Sequence, residues 1–226
     1  MSVQNKVNIE LEKLVTDSRI SKIETVLDNR TSNLTIVLDN ISNLHNISAV
    51  IRSVDAFGIT DIHLINNDSN SLRDLSDGIS LGSEKWVNLI QHKDESELIS
   101  TLKANNMLLV ALLPPDKNNQ SIPITQLPFE NPLALMFGNE VKGLNDKLIE
   151  NADISAYIPM YGFVESLNIS VACAISLFCS TIATTKPKLR PNRMTKARRL
   201  ELREEWIRKS IQNVDKIEDN LLKRFS

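Results

Sequence analysis

Apolar residues gather into six short runs: "LTIVL" (34–38), "DIHLI" (61–65), "WVNLI" (86–90), "MLLVALL" (107–113), "LALMF" (133–137) and "ISAYI" (154–158). None alternates cleanly between apolar and polar, as a strand with one wet face would. Each therefore predicts a strand buried on both sides, as in a parallel sheet. Helical spacing fills the intervals. In "NISAVIRSVDAFG" Ile47, Val50, Ile51 and Val54 recur at i, i+3, i+4 and i+7, with Asn46 placed to cap the start and Gly58 the end. Residues 94–104, "DESELISTLKA", open on acids at the positive end of a helix dipole and carry Leu98, Ile99 and Leu102. Strands alternating with helices predict an α/β fold around a mostly parallel sheet with flanking helices. The apolar stretch Ile169–Phe178 within "YGFVESLNISVACAISLF" reads as a core helix, although it is entered through the polar turn Glu165, Ser166, Leu167 and Asn168.

Two ends and one connection stand outside this pattern. Residues 1–30 predict an N-terminal helical arm of one or two helices, with Ile9, Leu11, Leu14 and Val15 followed by Ile20, Ile23, Val26 and Leu27. Residues 67–85 are too long and polar for a simple connection, which marks a functional or mobile segment. Past "KPKLRPNR" the chain predicts an appended amphipathic helix, with Leu200, Ile207, Ile211 and Val214 as its apolar stripe. Lys196, Arg198, Arg199, Arg203, Arg208 and Lys209 line the other side. The expected organisation is an arm over 1–30, an α/β domain over 31–185 and a basic helical tail over 186–226.

Charge sharpens that division. The net of -2 conceals thirteen Lys and Arg against twenty-two Asp and Glu in residues 1–185, and thirteen against six in residues 186–226. An acidic body with a basic tail suits a polyanion-binding appendage, and a solvated helix face would look similar. No basic-apolar-small leader opens the chain and no apolar run reaches the length of a membrane span, so the expected address is the cytoplasm, with no membrane partner. Cys173 and Cys179 fall on different sides of a helix and read as core residues.

Most familiar chemistries fail on spacing. In "GNEVKGLND" Leu144 and Asn145 follow Gly143, and Lys142 precedes it, so no Walker phosphate loop is present. There is no dinucleotide fingerprint and no Gly-x-Ser-x-Gly elbow, and His45, His63 and His92 lack metal spacing with the cysteines or acids, so no metal is expected. Three polar clusters remain, each following a strand: "NLHNISAVIR", "GNEVKG" and "ESLN". Carboxyl ends of parallel strands share one sheet edge, so Asn46, Arg52, Asn139, Glu140, Ser166 and Asn168 could converge there. The plainer alternative pairs Arg52 with Asp55 or Asp39 at the surface and makes the asparagines helix caps. Trp86 and Trp206 read as packing anchors.

The stretches "NLHNISAVIRSVDAFG", "LALMFGNEVKGL" and "IPMYGFVESLNISVACAISLF", in this order, resemble the three motifs of the SpoU family of RNA ribose 2′-O-methyltransferases. The short helical arm and basic tail make the chain similar to the tRNA guanosine-2′-O-methyltransferase branch. The resemblance implies a knotted sheet, a homodimer, S-adenosyl-L-methionine as methyl donor and position 18 of the tRNA D-loop as target. Ribosomal RNA or another tRNA position, and a non-catalytic RNA-binding protein with this fold, are the alternatives. By the same resemblance Leu112, Gly138, Asn139, Ile158, Met160, Ser166 and Leu167 hold the cofactor. Arg52 is the catalytic residue, as base or as alkoxide anchor, with Asn46 orienting it or the ribose, Glu140 bracing it and Asn168 contacting the target. Arg19, Lys22, Arg190, Arg193, Lys196, Arg198 and Arg199 would bind RNA. Lys22 stands where some relatives carry arginine and offers a point charge in place of a fork; Leu44 stands where many carry proline.

Overall fold

The computed structural model describes residues 2–65, 83–115, 121–184 and 194–225. Most of the polar connection 67–85, and Arg190 and Arg193 of the basic run, lie outside the described residues. The chain divides into two compact units, residues 1–30 with 194–226, and residues 31–193.

The smaller unit contains four helices among its described residues: α1 (Val3–Glu12), α2 (Asp17–Asp28), and, after the larger unit, α7 (Lys196–Lys209) and α8 (Val214–Phe225). Ser2, Thr16 and Thr195 each cap a helix by accepting a backbone N–H three residues on, which fixes where α1, α2 and α7 begin. Val7, Leu11, Ile23 and Leu27 are buried together with Leu202, Trp206 and Ile207. The tail's buried seam thus shares only Ile207 with the predicted stripe. Leu200 is 54% exposed, and Ile211 and Val214 lie past the end of α7. Trp206 decides the phase: it is the largest side chain available, it is 1% exposed, and the Arg30 guanidinium sits 5.1 Å from its ring centroid. It acts as a packing anchor.

The basic side of α7 faces carboxylates of its own unit. Arg203 reaches Glu12 at 2.6 and 2.9 Å and also bonds Glu24, Arg199 bonds Glu24 and Asp28 at 2.7 Å each, and Arg208 bonds Glu218 at 3.0 Å. Hydrogen bonding from Arg203 holds Glu12 below its ordinary pKa. Burial opposes ionisation of Glu24, but Arg203 and Arg199 outweigh it and lower that pKa too.

The larger unit is built on seven parallel strands in the order β3-β2-β1-β6-β4-β7-β5. They are β1 (Leu34–Asp39), β2 (Asp61–Ile65), β3 (Asn88–His92), β4 (Leu108–Leu112), β5 (Ile122–Pro123), β6 (Leu133–Phe137) and β7 (Ile154–Tyr157). The six predicted strands are all present, with Trp86 falling in a one-turn 3-10 helix (Ser83–Trp86) before β3. The two-residue β5 went unpredicted.

Side chains alternate across the sheet. Leu34, Ile36 and Leu38 of β1 join one apolar cluster with Ile47, Val50, Ile51 and Val54 of α3 (Leu44–Ala56) and with Ile169, Cys173 and Leu177. Val37 faces the opposite cluster, with Leu98, Ile99 and Leu102 of α4 (Glu95–Ala104) and Leu148 of α5 (Asp146–Glu150). Both faces being covered explains the unbroken apolar strands. The last helix, α6 (Ile169–Ala183), packs against α3 but buries only part of its surface: Val171, Phe178 and Ile182 are 46%, 56% and 60% exposed. The reading of Ile169–Phe178 as wholly core is corrected accordingly. Four positions of α6 are buried, and an apolar stripe faces outward. Among the described residues no helix is long and apolar enough to cross a membrane.

Candidate active site

The sheet order reverses at β6, which stands between β1 and β4 although it follows both in sequence. Crevices open at the carboxyl ends of strands beside such a switch. Here the ends of β4, β6 and β7 meet a cavity of about 440 Å³. Leu112 at the end of β4, Gly138 and Asn139 after β6, Ile158 and Met160 after β7, and Ser166 and Leu167 before α6 all line it. Glu140 lines it as well; Asn46, Arg52 and Asn168 do not.

One wall is a tight loop after β6. Asn139 and Gly143 exchange backbone hydrogen bonds of 3.0 and 2.8 Å, with Gly143 in the left-handed region at φ 73°. The Asn139 side chain accepts from the N–H groups of Val141 and Lys142 and donates 2.9 Å to the carbonyl of Asn40. At the far end the buried Asp39 carboxylate accepts from Asn145 N–H at 2.8 Å. The end of β1 thus grips both ends of this loop. A Cβ on Gly138 would lie 2.1 Å from the Leu144 nitrogen, so only glycine lets the loop close.

Three side chains from remote parts of the sequence meet at the rim. Asn168 Nδ2 donates to Asn46 Oδ1 at 3.0 Å, and Asn46 Nδ2 donates to Glu140 Oε1. Asn46 is not a helix cap. Asn43 caps α3 by accepting from His45 N–H, one turn earlier than expected, which frees the Asn46 amide for Glu140 and Asn168. Asn168 does cap α6 and contributes to the rim as well.

Arg52 is exposed, and its guanidinium has no hydrogen-bond or ion-pair partner among the described residues. The surface pairing with Asp55 or Asp39 does not form. At about 100° per residue, Arg52 lies on the side of α3 away from the buried Ile47, Val50 and Val54, and about a third of a turn from Asn46. One copy of the chain therefore does not bring it to the cavity. In the smaller unit Arg19, Lys22 and Lys196 are exposed without ion-pair partners among the described residues, whereas Arg198 bonds Glu201 and Arg199 is held by Glu24 and Asp28.

Sequence reasoning passed over Leu113, Pro114, Pro115, Val141, Lys142, Gly143, Leu144, Glu165, Ile169 and Ala172, which also line the cavity. Most lie within one of the quoted polar runs; the "LPP" after β4 carried the remaining signal, since a Pro pair at a strand end marks an irregular edge. It gave no sign that His63 and His92 meet, yet their ring nitrogens stand 2.8 Å apart.

The model of the SpoU rRNA Methylase family matches residues 33–178. A tRNA (guanosine(18)-2′-O)-methyltransferase of Borreliella burgdorferi is 34% identical over 92% of this chain and 93% of its own length. The crystal structure of the A. aeolicus TrmH/SpoU tRNA modifying enzyme superposes with a TM-score of 0.76 at 26% identity, over 86% of this chain and 98% of that one. An AdoMet-bound rRNA methyltransferase from Sinorhizobium meliloti shares the fold, with a TM-score of 0.58 at 24% identity over 70% of this chain and 60% of that one. With a matched span that contains every cavity-lining strand end and the Asn46, Glu140 and Asn168 junction, the chain belongs to the SpoU rRNA methylase family.

Proposed function

We propose that this chain transfers a methyl group from S-adenosylmethionine to the ribose 2′-hydroxyl of guanosine 18 in the D-loop of tRNA. The observation that carries this reading is the junction of Asn46, Glu140 and Asn168 at the mouth of a cavity lined by all seven expected cofactor positions. A volume of about 440 Å³ suits a small-molecule site, which runs roughly 300–1,000 Å³. The walls fit the methyl donor: Leu112, Leu144, Ile158, Met160 and Leu167 offer apolar surface, and the closed loop at Gly138 brings backbone polar groups to the edge. When bound there, S-adenosylmethionine supplies an electrophilic methyl group on a sulfonium. The chain's own task is to orient the ribose, exclude water and manage one proton. Rigid positioning of that kind can contribute on the order of 7–11 kcal/mol to the barrier.

Arg52 serves this reading as an anchor for phosphate and for the forming alkoxide, because a guanidinium keeps its proton and offers a planar fork. Since one copy leaves it outside the cavity, the reading includes a homodimer in which Arg52 completes the partner's site. The outward Val171, Phe178 and Ile182 of α6 supply an apolar surface for such an association. The reading also includes a knot at this edge, with β7 and α6 threaded through an earlier loop; the interleaving of β4 between β6 and β7 supports it. Arg19, Lys22 and Lys196, without ion-pair partners among the described residues, would meet tRNA phosphates. Glu24 and Asp28 of α2 already pair with Arg199 and Arg203, which leaves less of the tail's charge for that purpose than composition suggests. A tRNA target has more support than a ribosomal one, because the relative named for tRNA matches nearly end to end, whereas a 23S rRNA methyltransferase of Acinetobacter baylyi matches 61% of the chain at 28% identity.

The test is transfer of labelled methyl from S-adenosylmethionine to a tRNA transcript with an ordinary or a 2′-deoxy guanosine at position 18. Incorporation that persists in the deoxy transcript moves the target elsewhere, and none in either removes the activity.

A further inference from the structure

We propose that Asp28, together with Glu24, sets the RNA specificity of the smaller unit by withholding Arg199 from phosphate; this rests on the reading above that the substrate is RNA. Lys196, Arg199 and Arg203 recur at i, i+3 and i+7, so they share one stripe of α7. Of the three, Lys196 is exposed without an ion-pair partner among the described residues. Every nitrogen of the Arg203 guanidinium is engaged: Nε by Glu24, and Nη1 and Nη2 by the two oxygens of Glu12 at 2.9 and 2.6 Å. Its side chain is 19% exposed, and it acts as a strut. Arg199 differs. Its Nη2 alone meets both Glu24 Oε2 and Asp28 Oδ1, at 2.7 Å each, while Nε and Nη1 have no partner among the described residues and the side chain is 33% exposed. Donors remain for a phosphate, but the charge is already cancelled.

Two guanidinium ions stand here among three carboxylates, Glu12, Glu24 and Asp28, which makes the local net charge -1. Glu12 and Glu24 titrate below their ordinary 4.5, so both are ionised at neutral pH. A phosphate approaching Arg199 therefore meets the acids that already hold it, and their repulsion offsets what the guanidinium would contribute. The effect is unequal among RNAs. Phosphate contacts carry no sequence information, and an unrelated flexible strand can shift until it uses every cation offered. A folded RNA in fixed register meets Arg199 only where a phosphate falls beside it. Neutralising Arg199 thus weakens unrelated strands more than the proper substrate, and specificity is that difference of affinities. Asp28 is the outer member of the clamp: it is 67% exposed, and Arg199 is its one partner among the described residues.

Asp28→Asn keeps the shape of the side chain and removes its charge. The test measures equilibrium binding of the intact wild-type and variant chains to tRNA and to a uridine homopolymer across a range of potassium chloride concentrations. The variant should bind the homopolymer about three- to tenfold more tightly, as for one added charge-assisted hydrogen bond. Its salt slope should steepen by about 0.7, the figure for one more phosphate contact on a single strand, and tRNA binding should tighten less. Asp219→Asn makes the same change of charge at an exposed residue of the same unit that has no partner among the described residues, and should move either Kd by less than about twofold. Adding Arg199→Gln to Asp28→Asn should abolish the gain. Unchanged or weaker binding of the homopolymer by Asp28→Asn overturns the proposal and leaves the clamp a structural brace. A gain that Asp219→Asn matches, that survives Arg199→Gln, or that is as large for tRNA overturns it too. A wild type that binds no tRNA refutes the RNA reading and this role with it; a wild type that binds tRNA, and binds the homopolymer as tightly as Asp28→Asn does, refutes the role alone.

Discussion

Acidification from pH 7 to pH 5 should destabilise the protein by about 2 kcal/mol through a pair of histidines far from the cavity. Parallel pairing of β2 with β3 sets His63 opposite Ile90 and His92 opposite Ile65, which brings the two rings together. They stack at 5.0 Å with planes 19° apart, and His63 Nδ1 lies 2.8 Å from His92 Nε2. One nitrogen must donate and the other accept, so two imidazolium ions would set N–H against N–H. His92 Nδ1 is buried without a partner among the described residues. Burial first, and the charge of His92 second, push the His63 pKa down from 6.5 to about 4, against an opposing pull from Asp61. His92 is lowered as well, by burial, against Glu97.

An unfolded chain takes up the His63 proton near 6.5 and the folded one not until about 4, so the unfolded state binds more protons between these values. Stability from this site is full above the upper value and is lost as pH falls toward the lower. The whole shift amounts to about 3 kcal/mol, of which about 2 has gone by pH 5. The carboxylates of Glu12, Glu24 and Glu218, whose pKa values are lowered from 4.5, lose their contribution at more acid pH, so the window from 7 to 5 reports the histidines. Urea unfolding at fixed ionic strength across that window is the assay, with His63→Gln as comparison. A wild-type profile that is flat, or one that the Gln variant reproduces, refutes the reasoning.

Further outcomes follow from other contacts. Gly138→Ala should weaken S-adenosylmethionine binding by tenfold or more, measured by calorimetry, because the added Cβ would meet the backbone of Gly143 and Leu144 at 2.1–2.3 Å and the loop must open. Arg203→Met should cost about 1–2 kcal/mol in urea unfolding and make Glu12 and Glu24 titrate nearer their ordinary values, which carboxylate NMR would follow. If the proposed dimer forms through the outward face of α6, Phe178→Asp should shift the protein toward monomer in sedimentation and reduce methyl transfer in parallel; an unchanged sedimentation profile would refute that interface.

What the sequence made legible was what local pattern controls. Apolar runs marked the six longer strands because both sheet faces are covered, and strand ends marked the polar rim because parallel strands share an edge. Ile122 and Pro123 were missed because a two-residue strand has no period to detect. The cap of α3 was assigned to Asn46 because Asn43 and Asn46 both precede the apolar stripe. Only the contact with Glu140, remote in sequence, shows that the second asparagine is employed elsewhere. The tail's phase was misread for a similar reason: Leu200 fits a helical stripe as well as Leu202 does, and burial of Trp206 settles the choice. His63 and His92 meet only through strand register, which spacing along the chain does not encode.

Arg52 poses the strongest structural demand on the proposed activity. It sits on the outer side of α3, with no hydrogen-bond or ion-pair partner among the described residues and about a third of a turn from Asn46, whose amide meets the cavity-lining Glu140. If both groups serve one reaction and Arg52 reaches it from a second copy, the two defects are complementary. Arg52→Ala and Glu140→Gln chains should each be inactive alone. Co-expressed at equal amounts, half the dimers would be mixed, and each mixed dimer would assemble one site from the intact Glu140 of one chain and the intact Arg52 of the other. Recovery should approach about a quarter of wild-type activity. If Arg52 instead swung into its own chain's cavity, every site in the mixture would carry a defect and nothing would return, so the absence of any recovery in verified mixed dimers would exclude catalysis across the interface.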